Sequence, residues 1–177
     1  MGKGRFFETS GETGHLLESR MLGESTEKET GYQYYKEAIN FVKEHQAWEN
    51  PSDPDPRFAN DLHATIADKL GIEDYDLLKF YTAVGSALDH YHGIDAFFEL
   101  EINPDNPHEI IRVTIDITKN QEKGEYKADV IITIPPNGLN HRKDRAQWLN
   151  FIDKTAEEIL ARFEDMKKLK LTETIAA

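Results

Sequence analysis

The spacing of apolar residues predicts a helical first half of the chain. Residues 1–28 are rich in Gly, Glu, Ser and Thr and are predicted to form an irregular arm with one helical turn. Apolar residues then recur at helical spacing through residues 30–90. Three helices are predicted there, at 32–48, 57–70 and 74–90. Prolines between 50 and 56 end the first helix, and Gly71 ends the second.

The pattern changes to strand-like runs in the centre of the chain. Apolar and β-branched residues dominate three runs, 94–102, 110–118 and 126–134, and turn-forming sequences separate them. We expect an antiparallel meander over 93–135, followed by an amphipathic helix over 143–170. The chain is therefore predicted to be one domain, 1–177, of the α/β (α+β) class, with an antiparallel or mixed sheet flanked by helices.

Side chains alternate across a strand, and this alternation divides the predicted sheet into two faces. One face is apolar throughout and must lie against helices; its residues are Ala96, Phe98, Leu100, Ile102, Ile111, Val113, Ile115, Ile117, Ala128, Val130, Ile132 and Ile134. The other face carries Asp95, Asp116 and Asp129. Tight turns centred after residues 105 and 122 would place Asp95 opposite Asp116, Asp116 opposite Asp129, and Thr118 opposite Lys127. Three carboxylates and a lysine are thus predicted to cluster at one end of this face.

Carboxylates on adjacent strands repel one another unless a cation or a proton lies between them. Clustered carboxylates are the ligands that Mg²⁺ or Mn²⁺ requires, and such ions also bind phosphate oxygens. A bound metal lowers the pKa of a water and offsets charge on a phosphodiester, while a lysine beside it can assist that water. The competing interpretation is a solvated face with loosely paired charges, which is common in antiparallel sheets.

Two segments resemble a known family. The segment from Asp89 to Phe98, with the Gly93-Ile94-Asp95 step, and the segment from Arg112 to Asn120 resemble the core of the restriction-endonuclease-like superfamily, the PD-(D/E)xK nucleases. That family places a metal-binding Asp at the start of one strand, and an acidic residue, one further residue and a Lys on the next. The resemblance covers residues 85–134. It implies a restriction-endonuclease-like core in which Asp95 and Asp116 bind Mg²⁺ or Mn²⁺.

The lysine of the motif is displaced in this sequence. The position two after Asp116 is Thr118, where the family has Lys. Lys119 comes one residue late and would point to the apolar side unless the strand ends or bulges there. Lys127, opposite Thr118 in the predicted register, is the better substitute. Lys127 and Lys119 are therefore the two candidates for assisting the water.

The remaining metal ligands are less defined. A helix before the strands often adds a Glu in this family, and the resemblance makes Glu37 or Glu44 the candidate. Asp129 is the alternative from within the sheet. The family also returns to a further strand after its helix, which only residues 172–175 could supply.

Two further groups of residues have side chains suited to binding a metal ion or a nucleobase. His90 and His92 could bind Zn²⁺ together with Asp95, but no third or fourth ligand follows at a familiar spacing, so a role at the helix end is favoured. Three tyrosines could stack on nucleobases, but their helical spacing favours the core for at least two of them: Tyr32, Tyr34 and Tyr35.

The composition narrows the classes of function. The chain has 177 residues, with 21 Lys and Arg against 33 Asp and Glu, and a formal net charge of −12. This argues against a nonspecific nucleic-acid coat protein but not against an enzyme that meets nucleic acid through metal ions. The chain has no Cys, which excludes disulfides, Cys-based metal sites and a thiol nucleophile. No apolar run reaches the length of a membrane span, and no secretory signal is evident, so no membrane partner is expected and the cytoplasm is the predicted compartment.

The sequence thus predicts a metal-dependent nuclease that hydrolyses phosphodiester bonds of DNA or RNA, with DNA as the expected substrate. The chain is short, so specificity could come from a homodimer or a partner protein. The alternative is an acidic interaction protein, either a nuclease fold without activity or a DNA mimic. A nuclease predicts carboxylates concentrated at one place with affinity for Mg²⁺ or Mn²⁺, whereas a mimic predicts carboxylates spread over a long surface.

Overall fold

The computed structural model describes residues 14–28, 31–48, 50–119, 127–135 and 138–176. Within these ranges it has five α-helices: α1 Gly14–Leu22, α2 Tyr35–Glu44, α3 Arg57–Leu70, α4 Ala87–His92 and α5 Arg145–Ala176. The strands are β1 Leu78–Thr82, β2 Ala96–Glu101, β3 Ile110–Thr118 and β4 Val130–Thr133, and a short 3₁₀ turn, Tyr75–Leu77, precedes β1.

The four strands form one mixed sheet in the order β1-β2-β3-β4. β1, β2 and β3 pair in antiparallel fashion, and β4 runs parallel to β3. Helices pack on both faces of this sheet. The predicted mixed sheet flanked by helices is therefore confirmed.

The predicted pairing of β2 with β3 is also confirmed. Ala96 pairs with Ile115, and the neighbouring backbone N–H of Asp95 donates to the carbonyl of Ile115 at 2.8 Å. The intervening turn is held by the Asn103 side chain, which accepts from the N–H of Asp105. Asp95 therefore lies opposite Asp116, as the turn sequence predicts.

The predicted antiparallel pairing of the third run is wrong. Asp116 lies beside Ile131 in a parallel ladder, so the pairs of Asp116 with Asp129 and of Thr118 with Lys127 do not form. Turn-forming residues are as typical of a longer connection as of a hairpin tip. A strand parallel to β3 requires the longer connection, because the chain must first return along β3. The predicted turn at 120–124 lies outside the described residues. The meander over 93–135 is thus limited to β2 and β3.

The predicted helix over 74–90 is wrong as well. A strand, β1, occupies its middle and only α4 is helical. The run Leu78–Thr82 has only five residues, three of them apolar or aromatic, so its periodicity does not separate a helix from a buried strand. Pairing of Phe80 with Phe98 of β2 decides the outcome. The segment 30–90 is consequently not all helical.

Both ends of the chain are more helical than predicted. The arm over 1–28 contains α1, whose Leu17, Met21 and Leu22 are buried in the core; residues 1–13 lie outside the described part. The C-terminal helix predicted over 143–170 is confirmed and continues to Ala176. Residues 172–175 are therefore helical and do not supply a further strand.

Two clusters of buried residues lie on the two faces of the sheet. The larger cluster joins the predicted apolar face to α1, α3 and α5, with Trp148, Phe58 and Phe98 at its centre. The smaller cluster joins Tyr81 and Phe97 of the other face to α2 and α4. Ala128, predicted for the apolar face, packs on the smaller cluster instead. The polar residues of the second face are thus covered in part by helices.

Candidate functional site

Asp95 lies at the start of β2 and is a buried carboxylate, with 3% of its surface exposed. The backbone fixes it on both sides, since the N–H of Ala83 donates to its carbonyl at 2.7 Å. Its carboxylate Oδ2 accepts the backbone N–H of Ile117 at 2.7 Å. The Asp95 carboxylate is therefore bound to the backbone of β3.

The environment of Asp95 favours the protonated acid. The pKa of Asp95 is raised to about 9, chiefly by burial and also by the negative charges of Glu18, Asp116 and Asp89, while the hydrogen bond from the Ile117 N–H acts in the opposite direction. A carboxyl group that stays protonated at neutral pH can donate a hydrogen bond to another carboxylate.

Asp89 is the acceptor of that hydrogen bond. Burial raises the pKa of Asp89, and its hydrogen bonds with the N–H of Gly85 and with Asp95 act in the opposite direction. The Gly85 N–H lies 2.8 Å from Asp89 Oδ2. Two carboxyl groups bond in this way only when one of them carries a proton, so Asp95 and Asp89 share a proton.

Asp116 joins this pair from the neighbouring strand. It is 6% exposed on β3 and lies opposite Asp95 in the β2–β3 register. Its charge is one of those that raise the pKa of Asp95. The two acidic residues that carry the family resemblance are therefore brought together, as the sequence predicts.

The residues that sequence reasoning missed come from α1. One ligand atom each of His15, Glu18 and Asp89 lie within 4.8 Å of one another. Glu18 is half-buried, and His15 is exposed. The i, i+4 spacing of Leu17 and Met21 is the signal that could have predicted the helix carrying both. We call Glu18, Asp89, Asp95 and Asp116, with His15, the carboxylate cluster.

The glutamates predicted from α2 lie elsewhere. Glu37 and Glu44 are both exposed, on a helix whose buried face is formed by Ala38, Ile39 and Val42. The charges that act on Asp95 are those of Glu18, Asp89 and Asp116 instead. Glu18 of α1, and neither glutamate of α2, is therefore the helix glutamate whose charge acts on Asp95.

Asp129 fastens β4 to β3. Its Oδ2 accepts from the backbone N–H of Thr114 at 2.9 Å and from the Thr114 hydroxyl at 2.8 Å. Its carbonyl accepts from Arg162 of α5 at 3.0 Å. These bonds give the Asp129 carboxylate a structural partner two residues before Asp116 along β3.

The two candidate lysines differ in position. Lys127 is exposed, and its Cδ lies 3.9 Å from the place that a Cβ on Gly93 would take. Its methylene chain therefore runs beside the turn that leads into Asp95. Lys119 is half-buried directly after the end of β3. Lys127 is the lysine that the described contacts bring to the turn before Asp95.

The His90 and His92 side chains lie at the end of α4. The Nε2 atom of His92 is 2.8 Å from the carbonyl of Gln33, and the His90 ring meets Tyr91 edge to face. These contacts support the predicted role at a helix end for both residues rather than a zinc site with Asp95.

The turn between α4 and Asp95 depends on a left-handed residue. Gly93 has φ 64°, and Gly71 ends α3 with φ 67°. We expect Gly93→Ala and Gly71→Ala each to lower the free energy of unfolding by about 1 kcal/mol, because a Cβ disfavours this conformation. Urea unfolding of the two variants checks this. A much larger loss for Gly93→Ala would contradict the open contact with Lys127.

None of the helices within the described ranges is long and apolar enough to cross a membrane. Comparison of the sequence with protein-family models gives no matching family. Searches of curated proteins and of solved structures likewise give no significant match. The assignment of a function to this chain therefore rests on the carboxylate cluster itself.

Proposed function

We propose that this chain is a metal-dependent nuclease with a restriction-endonuclease-like core, which hydrolyses phosphodiester bonds of a nucleic acid. The observation that carries the proposal is the burial of Asp95 among three other carboxylates, Glu18, Asp89 and Asp116. Such a group of acids is held at a cost in free energy unless a cation or proton offsets the charge. Clusters of this kind are characteristic of functional sites.

The donor set fits a hard divalent cation. It offers carboxylate oxygens from four residues and one exposed imidazole, and Mg²⁺ and Mn²⁺ prefer oxygen ligands. The family resemblance makes Asp95 and Asp116 the ligands of the ion, and we propose Glu18 as the third, because its ligand atom lies within 4.8 Å of those of His15 and Asp89. When bound, it lowers the pKa of a coordinated water and offsets charge on the scissile phosphate.

The chain's own residues have separable tasks in this proposal. Asp95 gives up the proton that it shares with Asp89, and the Ile117 N–H keeps its carboxylate oriented. His15 is exposed beside Glu18 and is placed to accept a proton from a water. Lys127, beside the α4–β2 turn, is the cation that can stabilise developing negative charge.

The arrangement of strands supports the core in part. β1, β2 and β3 form an antiparallel unit. Asp95 lies at the start of β2 and Asp116 lies on the neighbouring strand β3, as in the family pattern. The chain departs from that pattern where β4 precedes the long α5, and where no strand follows α5 within the described residues.

A DNA mimic is the weaker alternative on this geometry. A mimic acts through carboxylates displayed on its surface, whereas Asp95 and Asp116 are almost fully buried. Burial of an acid does not help it to imitate a solvated phosphate, but it does help it to hold a cation. The net charge of −12 is common to both interpretations.

Nuclease activity is tested with labelled single- and double-stranded DNA and RNA, incubated with Mg²⁺, with Mn²⁺ or with EDTA. We expect cleavage only with a metal ion, and a calorimetric Mn²⁺ titration that Asp116→Asn abolishes. Glu37→Gln is the matched control, because Glu37 is exposed on α2, and it should leave both properties unchanged. Absence of metal binding together with absence of cleavage would overturn the proposal.

A further inference from the structure

A group of exposed aromatic side chains lies next to the carboxylate cluster. The predicted burial of the tyrosines at the start of α2 is wrong: these residues, and one on α4, are 36% to 71% exposed. We call them, with the adjoining His92, the tyrosine platform: Tyr32, Tyr34, Tyr35, Tyr91 and His92. Large aromatic rings contribute strongly to binding when a partner covers them, so four exposed tyrosines in one group indicate a binding surface.

The rings of the platform hold one another in place. The Tyr32 ring lies edge-on to Tyr34 and to Tyr91, with centroids 5.5 Å apart in each case. His92 lies 5.7 Å from both Tyr32 and Tyr35. The hydrogen bond between the His92 ring and the Gln33 carbonyl ties the segment before α2 to the end of α4. The platform is therefore organised before any ligand binds.

The platform and the carboxylate cluster share α4. Asp89 of the cluster and His92 of the platform are three residues apart on this helix. Side chains at that spacing are neighbours, with Cβ atoms about 5–6 Å apart. A nucleotide stacked on the platform would thus bring its phosphate close to the carboxylates.

The charge of the chain limits how a nucleic acid can be held. A formal net charge of −12 opposes capture of phosphates by charge alone. Stacking of bases on aromatic rings supplies affinity without a basic groove, because every base has a π-face. In a duplex those faces are covered by neighbouring bases, whereas unpaired bases offer them.

From these observations we propose that the tyrosine platform stacks unpaired bases and so makes single-stranded nucleic acid the substrate class presented to the carboxylate cluster. This inference rests on the proposed nuclease function. DNA and RNA offer the same base faces to the platform, so the experiment includes both. A second copy of the chain is the competing occupant that the experiment also addresses.

Binding is measured by fluorescence anisotropy in EDTA, so that it requires neither metal nor cleavage. The probes are labelled oligothymidylate and oligouridylate of about 12 nucleotides, within the range covered by one single-strand-binding domain, with an abasic strand and a duplex of equal length. The double variant Tyr32→Leu/Tyr34→Leu is compared with Tyr75→Leu. Tyr75 is also exposed, but it packs against His63 of α3 in the other layer.

We expect the double variant to bind the unpaired probes at least about tenfold more weakly, because the loss of a single stacked base costs about that much. Tyr75→Leu should bind as the parent does, and the abasic strand and the duplex should bind weakly to every variant. Unchanged affinity in the double variant would overturn the inference. A tyrosine-dependent dimer in sedimentation, with no effect on the probes, would also overturn it and assign the platform to a second copy.

The same variants separate this inference from the proposed function. If the protein cleaves a duplex in the presence of metal and the double variant cleaves it equally well, the nuclease proposal is retained and the platform inference is overturned. Tyrosine-dependent binding of unpaired bases in a chain that binds no Mn²⁺ would retain the platform as a binding surface and overturn the nuclease.

Discussion

Asp95→Asn is expected to abolish metal-dependent cleavage and, at the same time, to make the protein more stable. The loss of a metal ligand should reduce cleavage by at least about 100-fold, since even partners of a ligand cost 10–100-fold. The gain in stability has a separate cause, which is the proton that Asp95 must carry. The Asn amide can accept from the Ile117 N–H and donate to Asp89, so both hydrogen bonds are kept.

The stability effect has a defined dependence on pH. In the unfolded chain Asp95 has a pKa of about 3.9, whereas in the folded protein burial raises the pKa to about 9. Between these values the folded state holds one more proton, so this group's contribution is fully present below pH 3.9 and is lost as pH rises toward 9. The loss is about 1.4 kcal/mol for each pH unit. Asn does not titrate, so the Asp95→Asn variant avoids this loss of stability at high pH.

We therefore expect Asp95→Asn to raise the free energy of unfolding by up to about 5 kcal/mol at pH 7.5, and by less than about 1 kcal/mol at pH 4.5. Urea unfolding in EDTA across this range measures the difference. Asp105→Asn is the control, because Asp105 is exposed and its change should remain within about 0.5 kcal/mol. A destabilised Asp95→Asn at pH 7.5 would contradict the shared proton.

The second large effect concerns a buried ion network at the far end of β2. Glu99 is 3% exposed and accepts from Lys43 of α2 at 2.8 Å. It also accepts from Arg112 of β3, at 3.0 Å from Nε and 2.6 Å from Nη2. We expect Arg112→Leu to lower the free energy of unfolding by about 3 kcal/mol, because it leaves a buried carboxylate with one partner fewer.

A double-mutant cycle checks this expectation. Adding Glu99→Leu to Arg112→Leu should recover most of the loss, because the isolated buried charge is then removed as well. Lys79→Leu is the matched control: its pair with Glu101 joins β1 to β2, is more exposed and should contribute at most about 1 kcal/mol. Additive losses for Arg112 and Glu99 would show that burial does not govern this network.

The sequence predicted the pairing that matters most for the candidate site. Asn103, Pro104 and the residues after them specify a tight turn, and the alternation on either side leaves one register that buries the apolar face. Asp95 and Asp116 were therefore placed opposite each other correctly. The same alternation along the strands puts Glu99 and Arg112 on the face that carries Asp95 and Asp116, but it does not predict that α2 covers them.

What the sequence did not predict depends on contacts distant along the chain. Phe80 and Tyr81 suit a buried strand as well as a helix, and only pairing with β2 decides between the two. Glu18 was missed because nine residues of weak helical pattern are stable only when packed on a core. The direction of β4 was missed because turn composition does not reveal where a chain returns.

The position of α1 has a thermodynamic consequence. This helix is anchored by apolar residues, Leu17, Met21 and Leu22, but it also delivers Glu18 and His15 to the carboxylate cluster. Under the proposed function, a cation held by Glu18 would favour the docked helix, and by reciprocity the docked helix would raise the affinity for the cation by the same factor. Docking of α1 and binding of the cation would therefore report the same coupling free energy.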